Sequence, residues 1–202
     1  MKGKKTPKTA VILSTARLRL REMSTADDAL MLEILNDPPF LEFIADRGVR
    51  TLAGARDYIE EKILPSYGEF GFGFYIVELK ESGVPIGMCG LVKRPTLEEV
   101  DVGFSILERF WGSGYATEAA RALMRHGFEA LGIPRIVGVT APHNVRSSAV
   151  LEKLGLRFEK MIHLPGYGTE TKLYAQPPAS PKKASRKSGR KRVGSQPCRA
   201  QK

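Results

Sequence analysis

The chain has 202 residues, with 32 Lys and Arg against 22 Asp and Glu, and a formal net charge of +10. Four lysines lie in the first eight residues and nine basic residues lie in 177–202, with no acid in either stretch, so residues 9–176 carry 19 basic against 22 acidic residues. The length suits one domain with tails. Because residues 9–176 are mildly acidic, the positive overall charge does not indicate a nucleic-acid-binding fold.

The two cysteines, Cys89 and Cys198, are too few for a disulfide framework and favour a reducing compartment. No apolar run approaches the roughly 20 residues of a membrane span. The apolar patch at residues 10–13 is too short for a signal-peptide core of about 7–15 residues. We therefore expect a soluble cytoplasmic protein without a membrane partner.

The N-terminal third predicts one strand and two helices. Arg and Leu alternate from Arg17 to Arg21, as in a half-buried strand. A helix is expected after Thr25, with Leu30, Met31, Ile34 and Leu35 on one face, ending at Asn36-Asp37-Pro38-Pro39. Residues 40–50 are expected to form a loop or short helix, and a second helix is expected from Thr51 to about Leu64, where Pro65 stops it.

The remaining elements predict a single sheet. Strands are expected over 74–80, 84–92 and 98–107, followed by a helix over about 115–131 and a buried strand over 136–140. A short helix over 146–154, ended by Gly155, precedes two last strands over 156–164 and 169–175. This order, β-α-α-β-β-β-α-β-α-β-β, predicts an α+β fold with one mixed, mostly antiparallel central sheet flanked by helices.

Three segments divide the chain: a basic N-terminal extension (1–13), a single domain (14–176) and a Lys/Arg-rich tail (177–202). The tail has almost no apolar content, so we expect it to be disordered. It either tethers the protein to nucleic acid, with salt-dependent affinity, or is a solvated tail without a dedicated partner.

The stretch from Val100 to Ala120 predicts an anion site. A strand is followed by Gly112-Ser113-Gly114 and then by an Ala-rich helix. Glycines at a helix N-terminus let backbone N–H groups converge on an anion, which the helix dipole also favours. We therefore expect a phosphate cradle at this turn.

Four stretches together resemble the GNAT N-acetyltransferase superfamily. Arg109-x-x-Gly112-x-Gly114 at a strand–helix junction is similar to its acyl-CoA pyrophosphate loop, and Asn144-x-x-Ser147 followed by residues 151–156 is similar to its late Asn and short helix. Residues 15–21 and 86–91 resemble the branch that includes RimJ and RimL, which acetylate ribosomal-protein N-termini. The resemblance runs from about residue 14 to 175.

The resemblance implies acetyl-CoA as the cosubstrate and assigns its contacts. The pyrophosphate would be held by the loop and the start of the following helix, at Arg109, Phe110, Trp111, Gly112, Ser113, Gly114, Tyr115 and Ala116. The backbone of Phe104, Ser105 and Ile106 would pair with pantetheine and polarise the acetyl carbonyl, beside a strand bulge at Gly103. Asn144 would bind the cofactor or order its loop.

Acetyl transfer to an amine requires that the amine be neutral, so a base is expected. Asp101 is the position that the resemblance favours, acting through a water, and Glu99 shares its face of the strand. The alternative is that these acids are solvated charges or attract a cationic substrate. Leu151 stands where many GNAT enzymes have a proton-donating tyrosine, so Ser147 is the expected substitute; the alternative is that Ser147 caps backbone amides.

No metal is expected, because His126, His143 and His163 lack ligand spacing. Cys89 is expected to be a buried small hydrophobe, and Trp111 to pack rather than to stack on adenine. The acceptor is expected to be a protein N-terminal amine, with ribosome contact through the tail, or a small amine such as an antibiotic or polyamine. A catalytically quiet acyl-CoA-binding module is the third alternative, and the protein is expected to be a monomer or a homodimer.

Overall fold

The computed structural model describes residues 10–165 and 170–176. The expectations for the first nine residues, for most of the turn at 165–168 and for the tail at 177–202 concern positions outside the described residues. No helix in the described part of the chain is long and apolar enough to span a membrane.

In the part of the chain that the structure describes, eight strands form one sheet in the order β1-β2-β3-β4-β5-β6-β8-β7. Their bounds are β1 (Val11–Ser14), β2 (Leu18–Glu22), β3 (Phe74–Leu79), β4 (Pro85–Lys93), β5 (Val100–Ile106), β6 (Ile136–Thr140), β7 (Arg157–His163) and β8 (Glu170–Ala175). Neighbouring strands are antiparallel except for β5 and β6, which are parallel. The α+β fold with a mixed, mostly antiparallel sheet is therefore confirmed.

Strand β1 was not predicted from the sequence. Val11, Leu13 and Ser14 pair with Arg21, Leu20 and Arg19 of β2, so the sheet begins inside the segment assigned to the N-terminal extension. The run is only four residues long and lacks polar alternation, and its strand character comes from pairing with β2.

Among the described residues, six α-helices flank the sheet: α1 (Asp28–Asn36), α2 (Pro38–Phe43), α3 (Leu52–Tyr58), α4 (Leu64–Phe70), α5 (Tyr115–Glu129) and α6 (Val145–Lys153). Helix α5 covers one face, where Ala120 and Leu123 pack with Leu91 of β4. Helices α1 to α3 cover the other face, where Ile34 and Ala55 pack in one cluster with Met88. Gly155, with φ +89°, follows α6 as predicted.

Pro65 does not end the second predicted helix. A π-helical turn (Ile59–Ile63) joins α3 directly to α4, and Pro65 falls in the first turn of α4. A proline there lacks an N–H that would otherwise need a partner, and the wider π turn accommodates the interrupted hydrogen-bond ladder. The helical segment therefore continues to Phe70, where Gly71 closes it with φ +76°.

Candidate active site

A cavity of about 1000 Å³ crosses the sheet beside β5. One side is lined by α2 and its flanking residues, Tyr58 of α3, the π-helical turn and α4, the middle by residues 101–106 of β5, and the other side by the turn and helix start at 110–117 and by α6. The helix side, from Asp37 to Phe70, is called the acceptor wall below. The cavity therefore connects the predicted phosphate cradle with the acceptor wall.

The middle of the cavity is a slot between two diverging strands. β5 and β6 pair at Val100 with Ile136 and at Asp101 with Val137, and no further β5–β6 pair occurs in the described residues. Phe104, Ser105 and Ile106 line the cavity beyond this fork. A strand edge without a partner keeps backbone donors and acceptors for an extended ligand.

The bulge predicted at Gly103 is absent. β4 and β5 keep a continuous register from Gly87 opposite Ile106 to Lys93 opposite Val100, with Gly90 opposite Gly103. A Cβ on Gly103 would lie 2.9 Å from the Phe74 ring. Gly103 is therefore required by the close approach of Phe74 across the sheet, while the fork arises from divergence of β6.

The glycine turn has the backbone geometry expected of an anion site at a helix N-terminus. Gly112 and Gly114 have φ of +80° and +79°, and Gly114 is the N-cap of α5. No side chain caps this helix, and Tyr115, Ala116 and Thr117 of its first turn line the cavity. First-turn N–H groups have no intrahelical partner, so these donors and the helix dipole are available to an anion.

A polar clamp holds this turn against the β1–β2 connection. Arg17 donates to Glu118 through Nε at 2.7 Å and to the Ser113 carbonyl through Nη1 at 2.9 Å, and its guanidinium lies 4.7 Å from the Tyr115 ring centre. Thr15 Oγ1 donates to Glu118 at 2.6 Å. Burial opposes ionisation of Glu118, but these donors outweigh it and lower the pKa of the carboxyl.

The clamp residues were not assigned a role from the sequence. Glu118 is 101 residues away from Arg17, so no local pattern joins them. The signal that could have identified Thr15 and Arg17 is the Thr15–Arg21 stretch. This stretch resembles the family, but the resemblance assigns no role to its residues. Their contacts fix Ser113 and the first turn of α5 before any ligand binds.

Arg109 and Trp111 do not present their polar groups to the cavity as side-chain ligands. The Arg109 guanidinium pairs with Glu33 of α1 and lies over the Phe110 ring. The Trp111 indole donates to the Ile106 carbonyl at 2.5 Å, and Arg146 of α6 lies 4.7 Å from its ring centre. Both side chains brace the turn, and Trp111 packs as expected.

At the start of α6, Asn144 is the capping residue and Ser147 is not. The Asn144 side chain accepts the Ser147 N–H at 2.9 Å. The Ser147 hydroxyl makes no hydrogen bond to the described residues. Both residues line the cavity. Leu151 instead points into the core, where its Cδ2 is 2.4 Å from the position of a Cβ on Gly138.

Asp101 lies at the fork and is fully buried. Oδ2 accepts Arg94 Nε at 2.7 Å, and Oδ1 accepts the Val139 N–H at 3.2 Å, so the carboxylate bridges β5 to β6. Burial raises the pKa of this carboxyl, while Arg94 and the Val139 N–H lower it, and burial dominates. A buried carboxylate with a raised pKa is a stronger base than a free one.

Glu99 lies outside the cavity and is paired with Arg135, whose Nη1 is 3.4 Å from it. Glu99 precedes β5, which begins at Val100. Its predicted position on the same strand face as Asp101 therefore does not place it in the cavity. Cys89 is buried on the α5 face, where burial raises its pKa to about 12. No group of three His, Cys, Asp or Glu residues within 10–165 and 170–176 could hold a metal ion.

The residues present suit the phosphates and amides of acetyl-CoA. The cavity combines the uncapped N-terminus of α5, the open edge of β5 and two basic residues of α6, Arg146 and Lys153. A Cβ on Gly112 would meet no atom within 4 Å, so the glycine turn opens to free space. These features match a polyanionic ligand with an extended amide-bearing arm.

Comparison with known proteins agrees with this geometry. The family described as acetyltransferase (GNAT) domain matches residues 17–157. YkkB of Bacillus subtilis (strain 168) is 31% identical over 153 residues, covering 74% of this chain and 87% of its own.

Two solved structures are similar over most of the described chain. An acetyltransferase from Agrobacterium tumefaciens str. C58 has 28% identity and a TM-score of 0.69, covering 87% of this chain and 99% of its own. RimL, the ribosomal L7/L12 alpha-N-protein acetyltransferase in complex with coenzyme A, shares the fold at 19% identity and TM-score 0.71, covering 83% and 97%. The chain belongs to the GNAT family of acetyltransferases, which take the acetyl group from acetyl-CoA.

Proposed function

We propose that the protein transfers acetyl from acetyl-CoA directly to a primary amine while both substrates occupy the cavity. The amine nitrogen forms a bond to the acetyl carbon, the thioester C–S bond breaks, and sulfur leaves as a thiolate. One proton leaves the amine and one is taken up by the thiolate. The observation that carries this proposal is the continuity of the cavity from the glycine turn through the slot to the acceptor wall.

The donor half binds through backbone groups. The N–H groups of Tyr115, Ala116 and Thr117 bind the pyrophosphate, and the open edge at Phe104 and Ser105 pairs with the pantetheine amides. A backbone N–H on this edge polarises the acetyl carbonyl, where negative charge develops during attack. The Arg17–Glu118 clamp preorganises these donors, which reduces the ordering required on binding.

Two side chains are proposed for the proton transfers. Asp101 accepts the amine proton through a water, because its carboxylate is at the fork and its pKa is raised by burial. The Ser147 hydroxyl returns a proton to the thiolate, because it lines the cavity without another described partner.

The acceptor that we propose is a protein N-terminal amine. The support is analogy with RimL, an alpha-N-protein acetyltransferase whose fold this chain shares. A small amine is the alternative acceptor, and a binding module without turnover is the alternative function. Thiol release from acetyl-CoA, measured with a panel of peptide and small amines, distinguishes the three.

A matched pair of glycine variants tests the donor site. Gly112→Val and Gly132→Val each place a branched side chain at positive φ, at positions where a Cβ would meet no atom within 4 Å, but only Gly112 lines the cavity. We expect Gly112→Val to weaken acetyl-CoA binding at least about tenfold, which corresponds to about 1.4 kcal/mol. Calorimetric titration measures this affinity, and equal affinities for the two variants would refute the assignment of the glycine turn.

A further inference from the structure

The cavity lining has an excess of positive charge. Six cationic side chains line it against three carboxylates: Arg47, Lys62, Lys93, Arg94, Arg146 and Lys153 against Asp37, Glu69 and Asp101. Arg146 and Lys153 belong to the donor side, on α6. The acceptor wall together with Phe74, Lys93, Arg94, Asp101 and Gly103 is called the acceptor half. It has four cations and three acids before their pairing is considered.

Two of the three carboxylates are already engaged. Asp101 is bound by Arg94 and the Val139 N–H. Asp37 Oδ2 accepts the Glu108 N–H at 3.2 Å, and burial raises the pKa of Asp37. Glu69, exposed near the end of α4, is the remaining acid of the lining, so the acceptor half offers little anionic surface to a polycation.

The π-helical turn brings Lys62 to the cavity. Tyr58, Lys62, Ser66 and Glu69 line the cavity from successive turns of the helical segment that spans α3 and α4. Lys62 Nζ has one ion-pair neighbour, Glu61 at 3.8 Å, and both side chains are more than 60% exposed. A pair this open contributes little, so the Lys62 charge is available to a ligand.

The same half of the cavity has an aromatic lining, formed by Phe40, Phe43, Tyr58, Phe70 and Phe74. Aromatic side chains contribute large apolar contact areas. Positive charge nearby also disfavours the ammonium form of a bound amine, and transfer requires the neutral form. This part of the cavity thus combines apolar surface with an exposed, weakly paired positive charge at Lys62.

We propose that the acceptor is a primary amine with a carboxylate on the same molecule, bound with the carboxylate at Lys62 and its apolar part against the aromatic lining. This proposal rests on the proposed acetyl transfer and names the acceptor class for it. Polycationic acceptors such as polyamines are rejected, because the positive potential of the cavity repels them.

A substrate series with the full chain tests this inference. The first set comprises three tripeptide amides with an N-terminal serine and a central phenylalanine. Their third residue is glutamate, glutamine or arginine, so their relative kcat/KM values show whether a side-chain carboxylate favours turnover. Comparison of phenylalanine with its amide shows the effect of an α-carboxylate on turnover, and spermidine shows whether a polycation is accepted. We expect kcat/KM to be at least about tenfold higher for the glutamate than for the arginine peptide, the size of a charge-assisted contact.

Two charge-reversal variants make the series specific. Lys62→Glu should reverse the glutamate-over-arginine preference, whereas Lys160→Glu, an equal charge change on exposed β7 outside the cavity, should leave it unchanged. Equal rates for the three peptides, preferential turnover of spermidine, or a preference that survives Lys62→Glu would each overturn the proposal.

A calorimetric titration of acetyl-CoA separates this proposal from the proposed function. If acetyl-CoA binds and neutral or cationic amines are acetylated as well as acidic ones, only the acceptor class is wrong. If acetyl-CoA binds and no amine in the series is acetylated, both the acceptor class and the transfer are wrong. If acetyl-CoA does not bind, the donor assignment is wrong as well.

Discussion

The structural role of Asp101 is compatible with the catalytic role that we propose for it. It bridges β5 to β6 through the Val139 N–H and it holds Arg94 at the cavity. Its carboxylate also belongs to the cavity lining, where the proposed transfer needs a proton acceptor. The structural role explains the burial, and the burial raises the pKa that suits a base.

The first prediction separates these roles through pH dependence. Asp101→Asn keeps an oxygen for the Val139 N–H but cannot take a proton. We expect kcat/KM to fall about 100-fold at alkaline pH, within the usual range for general-base catalysis. Because the carboxylate of the wild type becomes protonated as pH falls through its raised pKa, the ratio of wild type to variant should shrink toward low pH.

Rate profiles of both proteins over a range of about pH 5 to 9 provide the measurement. Glu99→Gln is the control, since Glu99 pairs with Arg135 outside the cavity and its loss should not change the profile. A wild-type to Asp101→Asn ratio that stays constant over the whole range would mean that Asp101 only positions Arg94 and β6.

At the scale of elements, two opposed glycines of the sheet lie against Phe74, which lines the cavity. Gly90 and Gly103 face each other across β4 and β5, and Phe74 of β3 lies close to both. A Cβ on Gly90 would lie 2.6 Å from backbone atoms of Gly73 and Phe74, while one on Gly103 would meet only the Phe74 ring. Backbone in a sheet cannot move as easily as a ring.

Alanine at these two positions should therefore have different effects. We expect Gly90→Ala to lower the free energy of unfolding by about 3 kcal/mol and Gly103→Ala by about 1 kcal/mol, across the usual range for overpacking. Displacement of the Phe74 ring toward the cavity in Gly103→Ala should raise KM for the acceptor without changing acetyl-CoA affinity. Thermal unfolding and steady-state kinetics measure both effects, and equal losses of stability would contradict this account.

At the scale of the whole molecule, charge is divided between the domain and the termini. Residues 177–202 carry nine basic residues and no acid, whereas the cavity lining, within the described part of the chain, runs from Asp37 to Lys153. Clustered basic residues bind nucleic acid mainly through counterion release. Catalysis and any nucleic-acid contact of the tail should therefore be separable.

Ending the chain at Gln176 tests this separation. We expect the full chain to bind single-stranded RNA with an affinity that falls at least about tenfold between roughly 50 and 200 mM salt, and the shortened chain to lose this binding. Acetylation of a short peptide should be unchanged. Fluorescence anisotropy and thiol release report the two activities, and equal RNA binding by both chains would exclude the tail as the contact.

The sequence by itself determined the features that depend on neighbouring residues. The turn at Gly112 and Gly114, the start of α5 and the succession of seven of the strands along the chain all follow from local periodicity and glycine placement. The same local reasoning missed β1 and ended a helix at Pro65, because pairing with β2 and a π turn overrode the local signals.

Only the tertiary structure decided which distant groups meet. Glu118 joins Arg17 across 101 positions, Asp101 reaches Val139, and Glu99 turns away to Arg135. The available charge at Lys62 likewise depends on which acids of the cavity are already engaged. Such contacts depend on strand order, register and helix packing, none of which a single stretch of sequence specifies.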